Sequence, residues 1–335
     1  MWEDLSSNVL EGKRGKRIHL FSRFQIVIST RSELDEESME RRHFLTQAGF
    51  AAVGSQLSLA QASSKELWPV VVFEKPIQTL EYDRMGEELA KMGVDGIEAT
   101  IRRGGHIDPN KAADEVPKMV EALAKNRQKA LIATTNVHSA DKKSAEFLKI
   151  LKENGITRYR MDYFRYDLKK PLLPQVKENT TRLKELEAMN REIGVQALYQ
   201  IHAGAKYAGS LAWDAAMMFE EVNPDHAAIA FDLRHVKAGS GLSFPTALAA
   251  MGKHVRSIFV KDARWSGERT DQIKNVPLDT GIVNQKAFEE VRKGHQAMPL
   301  SLHMEWGKAP IYPKETVMEA VKNVARDVKV LKSWL

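Results

Sequence analysis

From Val70 onward, short β-branched apolar runs alternate with stretches of helical periodicity, eight times over, and this alternation constrains the chain more than any other feature. The runs predict strands at Val70 to Phe73, Gly96 to Ile101, Ala130 to Thr134, Tyr159 to Tyr163, Gln196 to Gln200, Ala227 to Phe231, Ser257 to Val260 and Leu300 to Met304. A continuous apolar run is what a parallel strand covered on both faces shows. Between them the spacing predicts helices over Tyr82 to Met92, Ala113 to Asn126, Lys143 to Asn154, Gln175 to Ile193 and Lys286 to Lys293, with a closing helix over Lys314 to Leu331. Gly93, Gly155 and Gly194 stand where three of these helices should stop. Eight strands in strict alternation with helices predict a single α/β domain, a closed (β/α)8 TIM barrel. An open doubly wound sheet would carry a glycine-rich phosphate loop after its first strand, and Phe73-Glu-Lys-Pro76 is no such loop.

The segment before the barrel reads differently. Paired arginines in Met39-Glu-Arg-Arg-His-Phe-Leu45, an apolar run from Ala48 to Leu59 and Ala60-Gln-Ala62 form the pattern of a twin-arginine export signal. The run is shorter than the roughly 20 residues a stable membrane span needs. Residues 1–38 then read as an extension of the gene model or a disordered leader, residues 39–62 as the signal, and residues 63–335 as the barrel. The barrel segment is close to the roughly 250 residues typical of one such domain. The expected destination is periplasmic or otherwise extracytoplasmic. The chain has no cysteine, which excludes disulfides, thiolate metal sites and cysteine nucleophiles. Its formal charge of +6 is unclustered, so it favours anionic ligands mildly without predicting nucleic acid as a partner.

Barrel enzymes place their chemistry at the carboxyl ends of the strands. The second strand offers Glu98, followed by Arg102 and His106 as groups to hold a ligand oxygen. The third offers Thr134, Thr135 and Asn136, neutral groups suited to hydroxyls, and the fourth Arg160, Asp162 and Arg165. The fifth ends in Gln200 and His202, the sixth in Asp232 and His235, the seventh in Lys261, Asp262 and Arg264, and the eighth in His303 and Glu305. One histidine at a strand end is ordinary structure. Four consecutive strands ending in such groups describe a polar ligand site, because burying them for stability alone is costly.

These motifs, in this order, resemble the sugar phosphate isomerase/epimerase superfamily, the xylose-isomerase-like barrels. The resemblance rests on Val94-Asp-Gly-Ile-Glu98 with Arg102 to His106, His202-Ala-Gly204, Asp232 to His235, Val260-Lys-Asp262, Pro277-Leu-Asp-Thr-Gly281 and His303-Met-Glu305. It implies one divalent metal ion (Mn, Mg, Co or Zn) held by Glu, Asp, His and Glu from the last four strands. Asp232 and Glu305 match that set, Gln200 stands in place of the first Glu, and Phe259 in place of the His. The metal ligands implied are therefore Gln200, Asp232 and Glu305, with His202 or His235 as substitutes.

The activity implied is isomerisation or epimerisation of a sugar or polyhydroxy ketone, by proton transfer next to a carbonyl. Glu98, His202, Lys261 and Glu305 are the expected catalytic groups. Arg102, His106, Asn136, Arg160, His235, Asp262, Arg264 and His303 are the expected substrate contacts. Without a metal, Lys261 would supply the positive charge that an enolate needs. Export argues against a phosphorylated substrate. Two alternatives use the same residues: a lyase or hydrolase of 3-keto glycosides, and a carbohydrate-binding barrel that has lost its metal. An abasic-site nuclease, also known in this superfamily, would need a larger multi-metal set that the residues do not assemble. The expected partner is a small carbohydrate, with no stable membrane span and with homo-oligomer formation left open.

Overall fold

The computed structural model describes residues 68–267 and 272–335. The export signal and the segment before it lie outside the described residues. Eight parallel strands close a barrel: β1 (Val70–Phe73), β2 (Gly96–Thr100), β3 (Lys129–Thr134), β4 (Arg158–Arg160), β5 (Gln196–Gln200), β6 (Ala227–Asp232), β7 (Val255–Val260) and β10 (Leu300–Leu302). β10 pairs with both β1 and β7 and so shuts the ring. The remaining two strands, β8 (Asp262–Ser266) and β9 (Gln272–Val276), form an antiparallel hairpin after β7.

The predicted helices appear as α1 (Tyr82–Met92), α2 (Ala112–Ala124), α3 (Lys142–Glu153), α4 (Leu172–Ile193), α8 (Gln285–Lys293) and α9 (Val317–Ser333). Three short helices and the hairpin depart from the expected pattern: α5 (Trp213–Phe219), α6 (Leu233–Ser240) and α7 (Phe244–Met251). The D-x-x-H spacing of Asp232 and His235 belongs to the start of α6 rather than to an extended strand end. Asp232 is the helix cap, and its Oδ1 accepts from the backbone N–H of His235 at 3.1 Å. The fourth and eighth strands are also shorter than expected. After Arg160 the amide of Asp162 turns to the carbonyl of Val137, so pairing with β5 stops.

Alternate strand residues face alternate sides, and this parity decides what the barrel holds. Val71, Ile132, Leu198, Ala228, Ala230 and Phe259 form a separate apolar cluster inside the ring. The larger core lies outside it, between strands and helices. Two residues beyond these inward positions, toward the carboxyl ends, come Phe73, Thr134, Gln200, Asp232 and Lys261. The interior is thus apolar below and polar at the mouth. Phe259 is fully buried and sits beside Asp232 and Ser301 in the register.

Leu198→Ala would remove a fully buried side chain of this inner cluster and leave a cavity, so it is expected to cost about 2–5 kcal/mol. Urea unfolding followed by circular dichroism checks this; a loss under ~1 kcal/mol would mean the inner layer is not tightly packed.

Candidate active site

A cavity of about 280 Å³ opens at the carboxyl end of the barrel, with Phe73 and Arg160 on one side and His202, His235, Lys261 and Glu305 on the other. Beneath and around it, polar side chains from seven strand ends join in a linked series around the mouth. Glu98 is fully buried and accepts from Thr134 Oγ1 at 2.6 Å, Ser301 Oγ at 2.5 Å, His303 Nε2 at 2.8 Å and the guanidinium of Arg160 at 3.2 Å. Burial pushes its carboxyl up, but Arg160 and His303 outweigh that and hold it well below the usual carboxylate range. Arg160 also donates to Gln200 Oε1 at 2.8 Å and lies over the Phe73 ring at 4.7 Å. Tyr163 donates its hydroxyl to the same amide oxygen. Gln200 in turn donates from Nε2 to Asp232 Oδ2 at 2.7 Å.

Lys261 completes the series. Its ammonium lies 3.0 Å from Glu305 Oε2 and 3.4 Å from Asp232 Oδ2. Burial pulls the ammonium down, but the two carboxylates more than offset that and raise it above the ordinary lysine value. Burial likewise pushes Glu305 up, and Lys261 brings it down to about 2. At neutral pH this is a cation held between two anions.

The two histidines of the cavity are neutral and differ in tautomer. His202 Nδ1 faces the carbonyl of Ala203 at 2.8 Å, so Nδ1 carries the proton and Nε2 keeps its lone pair. Burial, aided by Lys261, lowers this imidazole to about 4. His235 Nδ1 accepts from Arg234 Nη1 at 2.7 Å, so its proton is on Nε2, a buried atom without a partner among the described residues. Burial first, then Lys261 and His202, hold this ring far below the ordinary histidine value. The rings lie 3.7 Å apart between centroids.

Of the groups expected from the sequence, Arg102, Arg160, Gln200, His202, His235, Lys261 and Glu305 line the cavity. Glu98 and Asp232 do not: both are fully buried, and their oxygens bind the side chains that do. His303 is spent on Glu98 and stacked on Phe73 at 4.5 Å. His106 binds the buried carboxylate of Glu74 at 3.1 Å. Asn136 accepts from the amide of Arg103 and belongs to a separate groove beside α3. Asp262 is a backbone anchor that accepts from the amides of Ala263, Thr280, Gly281 and Val283. This anchor explains the Pro277 to Gly281 motif, since a Cβ at Gly281 would come within 2.0 Å of the Ala263 carbonyl oxygen. Arg264 donates to the Thr280 carbonyl and braces the same loop.

Lys75, Tyr163, Arg234 and Asn275 line the cavity without having been expected. Lys75 lies two residues past the end of β1, an end not read for chemistry, whereas Tyr163 lies between Asp162 and Arg165, which were read, and was passed over as part of the apolar strand. Arg234 sits inside the Asp232 to His235 motif. Asn275 comes from the β8–β9 hairpin, which carries no sequence signal of its own.

A divalent metal ion does not fit this donor set. Gln200 is neutral, and its amide is already committed to Arg160 and Asp232. Phe259 presents a ring to His303 and Arg160 where the fourth ligand would come from. The two remaining carboxylates, Asp232 and Glu305, converge on an ammonium, the position a metal would need. Among the described residues no group of three or more His, Asp or Glu is arranged to hold a metal.

The Lys261–Glu305 pair predicts a specific acid response. Glu305 is depressed from 4.5 to about 2, so its contribution to stability is complete above the ordinary carboxylate value and is lost as pH falls through about 2. Thermal melts from pH 6 to pH 2 should show a decline that is shallower in Glu305→Gln; an identical decline would mean the pair is not formed in solution.

No protein-family model and no curated protein matches the sequence. Solved structures do match the fold. A xylose isomerase domain protein from Planctomyces limnophilus shares 14% identity over 80% of this chain and 96% of its own, with a TM-score of 0.57. A xylose isomerase-like TIM barrel protein from Mycobacterium smegmatis, in complex with magnesium, shares 15% over 80% and 98%, with a TM-score of 0.56. The 3-keto-D-glucoside 4-epimerase of E. coli shares 14% over 77% and 98%, also at 0.56. At these identities the likeness is one of fold, and the chain is a xylose-isomerase-like (β/α)8 barrel.

Proposed function

We propose that the chain is an isomerase or epimerase of a sugar or related polyhydroxy ketone, working by proton transfer at the carbon beside a carbonyl. The observation that carries this reading is the pairing, in one cavity, of a neutral imidazole with a free lone pair and a buried ammonium: His202 and Lys261. The fold neighbours include D-psicose 3-epimerase and L-ribulose 3-epimerase, which supports a sugar as the substrate class.

In this proposal His202 Nε2 takes the proton from the carbon next to the carbonyl. The C–H electron pair becomes the new C=C bond, and the carbonyl π pair moves to oxygen, giving an enolate. Lys261 donates to that oxygen, so a fixed charge stabilises the negative charge as it develops. Returning the proton from His202 to the neighbouring carbon on the same face, with a hydroxyl proton moving between oxygens, gives an isomer; an epimer forms when a second acid protonates the opposite face of the same carbon and His202 gives its proton to solvent. Glu305 and Asp232 keep Lys261 charged and aimed, and Arg160 holds Gln200 in place. The divalent ion implied by the sequence resemblance takes no step. Export, read from Arg41 and Arg42, belongs to the same proposal and would bring the enzyme to unphosphorylated sugars.

Heavy-water incubation with ketoses in the presence of a chelator tests this, with deuterium at the carbon beside the carbonyl read by NMR. Exchange is expected, constant from neutral pH down to about 4 and falling below it as His202 protonates. Lys261→Met should slow exchange about 10²-fold or more while the fold is retained. Exchange that appears only after divalent metal is added would contradict the mechanism, and binding without exchange would leave a carbohydrate-binding barrel.

A further inference from the structure

The charges lining the cavity do not balance. Arg160 is paired with Glu98, and Lys261 with Asp232 and Glu305. Three further cations, Lys75, Arg102 and Arg234, line the same cavity, and none forms an ion pair with a carboxylate among the described residues. They come from separate parts of the chain: the turn after β1, the loop after β2 and the first turn of α6. Glu74, next to Lys75, makes no ion pair with them and instead bonds Thr100 and His106.

Exposed unpaired cations are unremarkable, but these are partly withdrawn from water. Burial lowers both Lys75 and Arg102 from their ordinary values. Among the described residues, Arg234 Nε is buried without an acceptor, and so is the Nε2–H of His235 next to it. Asn275 Oδ1, on the hairpin, has no donor among the described residues. Three unpaired cations gathered around one cavity call for an anion.

We propose that the natural ligand is an acidic polyhydroxy ketone of monosaccharide size, whose carboxylate is held by Lys75, Arg102 and Arg234. The proposal deepens the proton-transfer reading and rests on it only for the ketone; the anion is argued from the charges alone. Two guanidinium groups can each present a planar pair of donors to a carboxylate or phosphate, and a low-dielectric wall strengthens the attraction. The cavity, about 280 Å³ in all, leaves room for a ligand of monosaccharide size beside these cations.

Isothermal titration calorimetry of the full chain with three ligand sets of equal carbon number tests this: neutral ketoses, keto-aldonates and uronates, and ketose phosphates. The keto-aldonates and uronates should bind tenfold or more tighter than the neutral set, and the preference should shrink as salt is raised. Tighter binding of the ketose phosphates than of the carboxylates overturns the proposal. Arg102→Gln and Lys75→Gln should each weaken the acid at least fivefold and weaken the neutral ketose by less, with thermal melts confirming a folded protein. The salt response of the unmodified protein decides the matter if a variant fails to fold. Equal affinity for neutral and acidic ligands, or no binding of any acid, overturns the proposal. Acid binding without deuterium exchange would leave it standing and sink the proton-transfer reading; exchange on neutral ketoses with no acid preference would do the reverse.

Discussion

The mouth of this barrel depends on two buried cations, Arg160 and Lys261, each clamped between groups from other strands. Arg160 on β4 joins Glu98 on β2 to Gln200 on β5. Gln200 passes the connection to Asp232 on β6, and Lys261 carries it past β7 to Glu305. Ser301 and His303 hold Glu98 from the β10 side. Losing any member strands a charge or an amide in a dry interior, and leaving a buried charge unpaired costs about 3–5 kcal/mol. The series therefore holds the strand ends in a single arrangement, and with them the groups that face the cavity.

The same series decides what the cavity can do. A carboxylate pair converging on an ammonium has its positive charge supplied by the chain itself, permanently and at a fixed position. Such a charge needs no loading and does not reorganise as an oxyanion forms, the condition under which electrostatic stabilisation is largest. It also sets the neighbouring histidines: Lys261 adds to burial in keeping His202 and His235 uncharged, which leaves one as an acceptor and the other as a donor.

Much of this was legible in the sequence, and the limits were physical. The eight barrel strands could be read because a strand covered on both faces must be apolar throughout, and β1 and β5 fall on their expected bounds. Asp232, His202, Lys261 and Glu305 could be placed at strand ends for the same reason. Gln200 and Phe259 were visible as replacements where the resemblance implies metal ligands. Which strand-end groups pair with each other was not visible, because that depends on register around a closed ring: Glu98 looks as catalytic as Glu305 until Arg160, Thr134, Ser301 and His303 are found on it. Helices α5, α6 and α7 are each only two turns or so, too short for a period to stand out. The β8–β9 hairpin is half exposed and polar, so Asn275 and the anchoring role of Asp262 had no signal in composition or spacing.

The claim on which the rest turns is that Lys261 occupies the position a divalent ion would need. Elemental mass spectrometry of the protein, after saturation with Mn, Mg, Co and Zn in turn and removal of free ions, tests it directly. Far less than one ion per chain, unchanged in Asp232→Ala, is the result expected. One ion per chain that disappears in Asp232→Ala would show that the ammonium gives way to a metal, and would contradict the account.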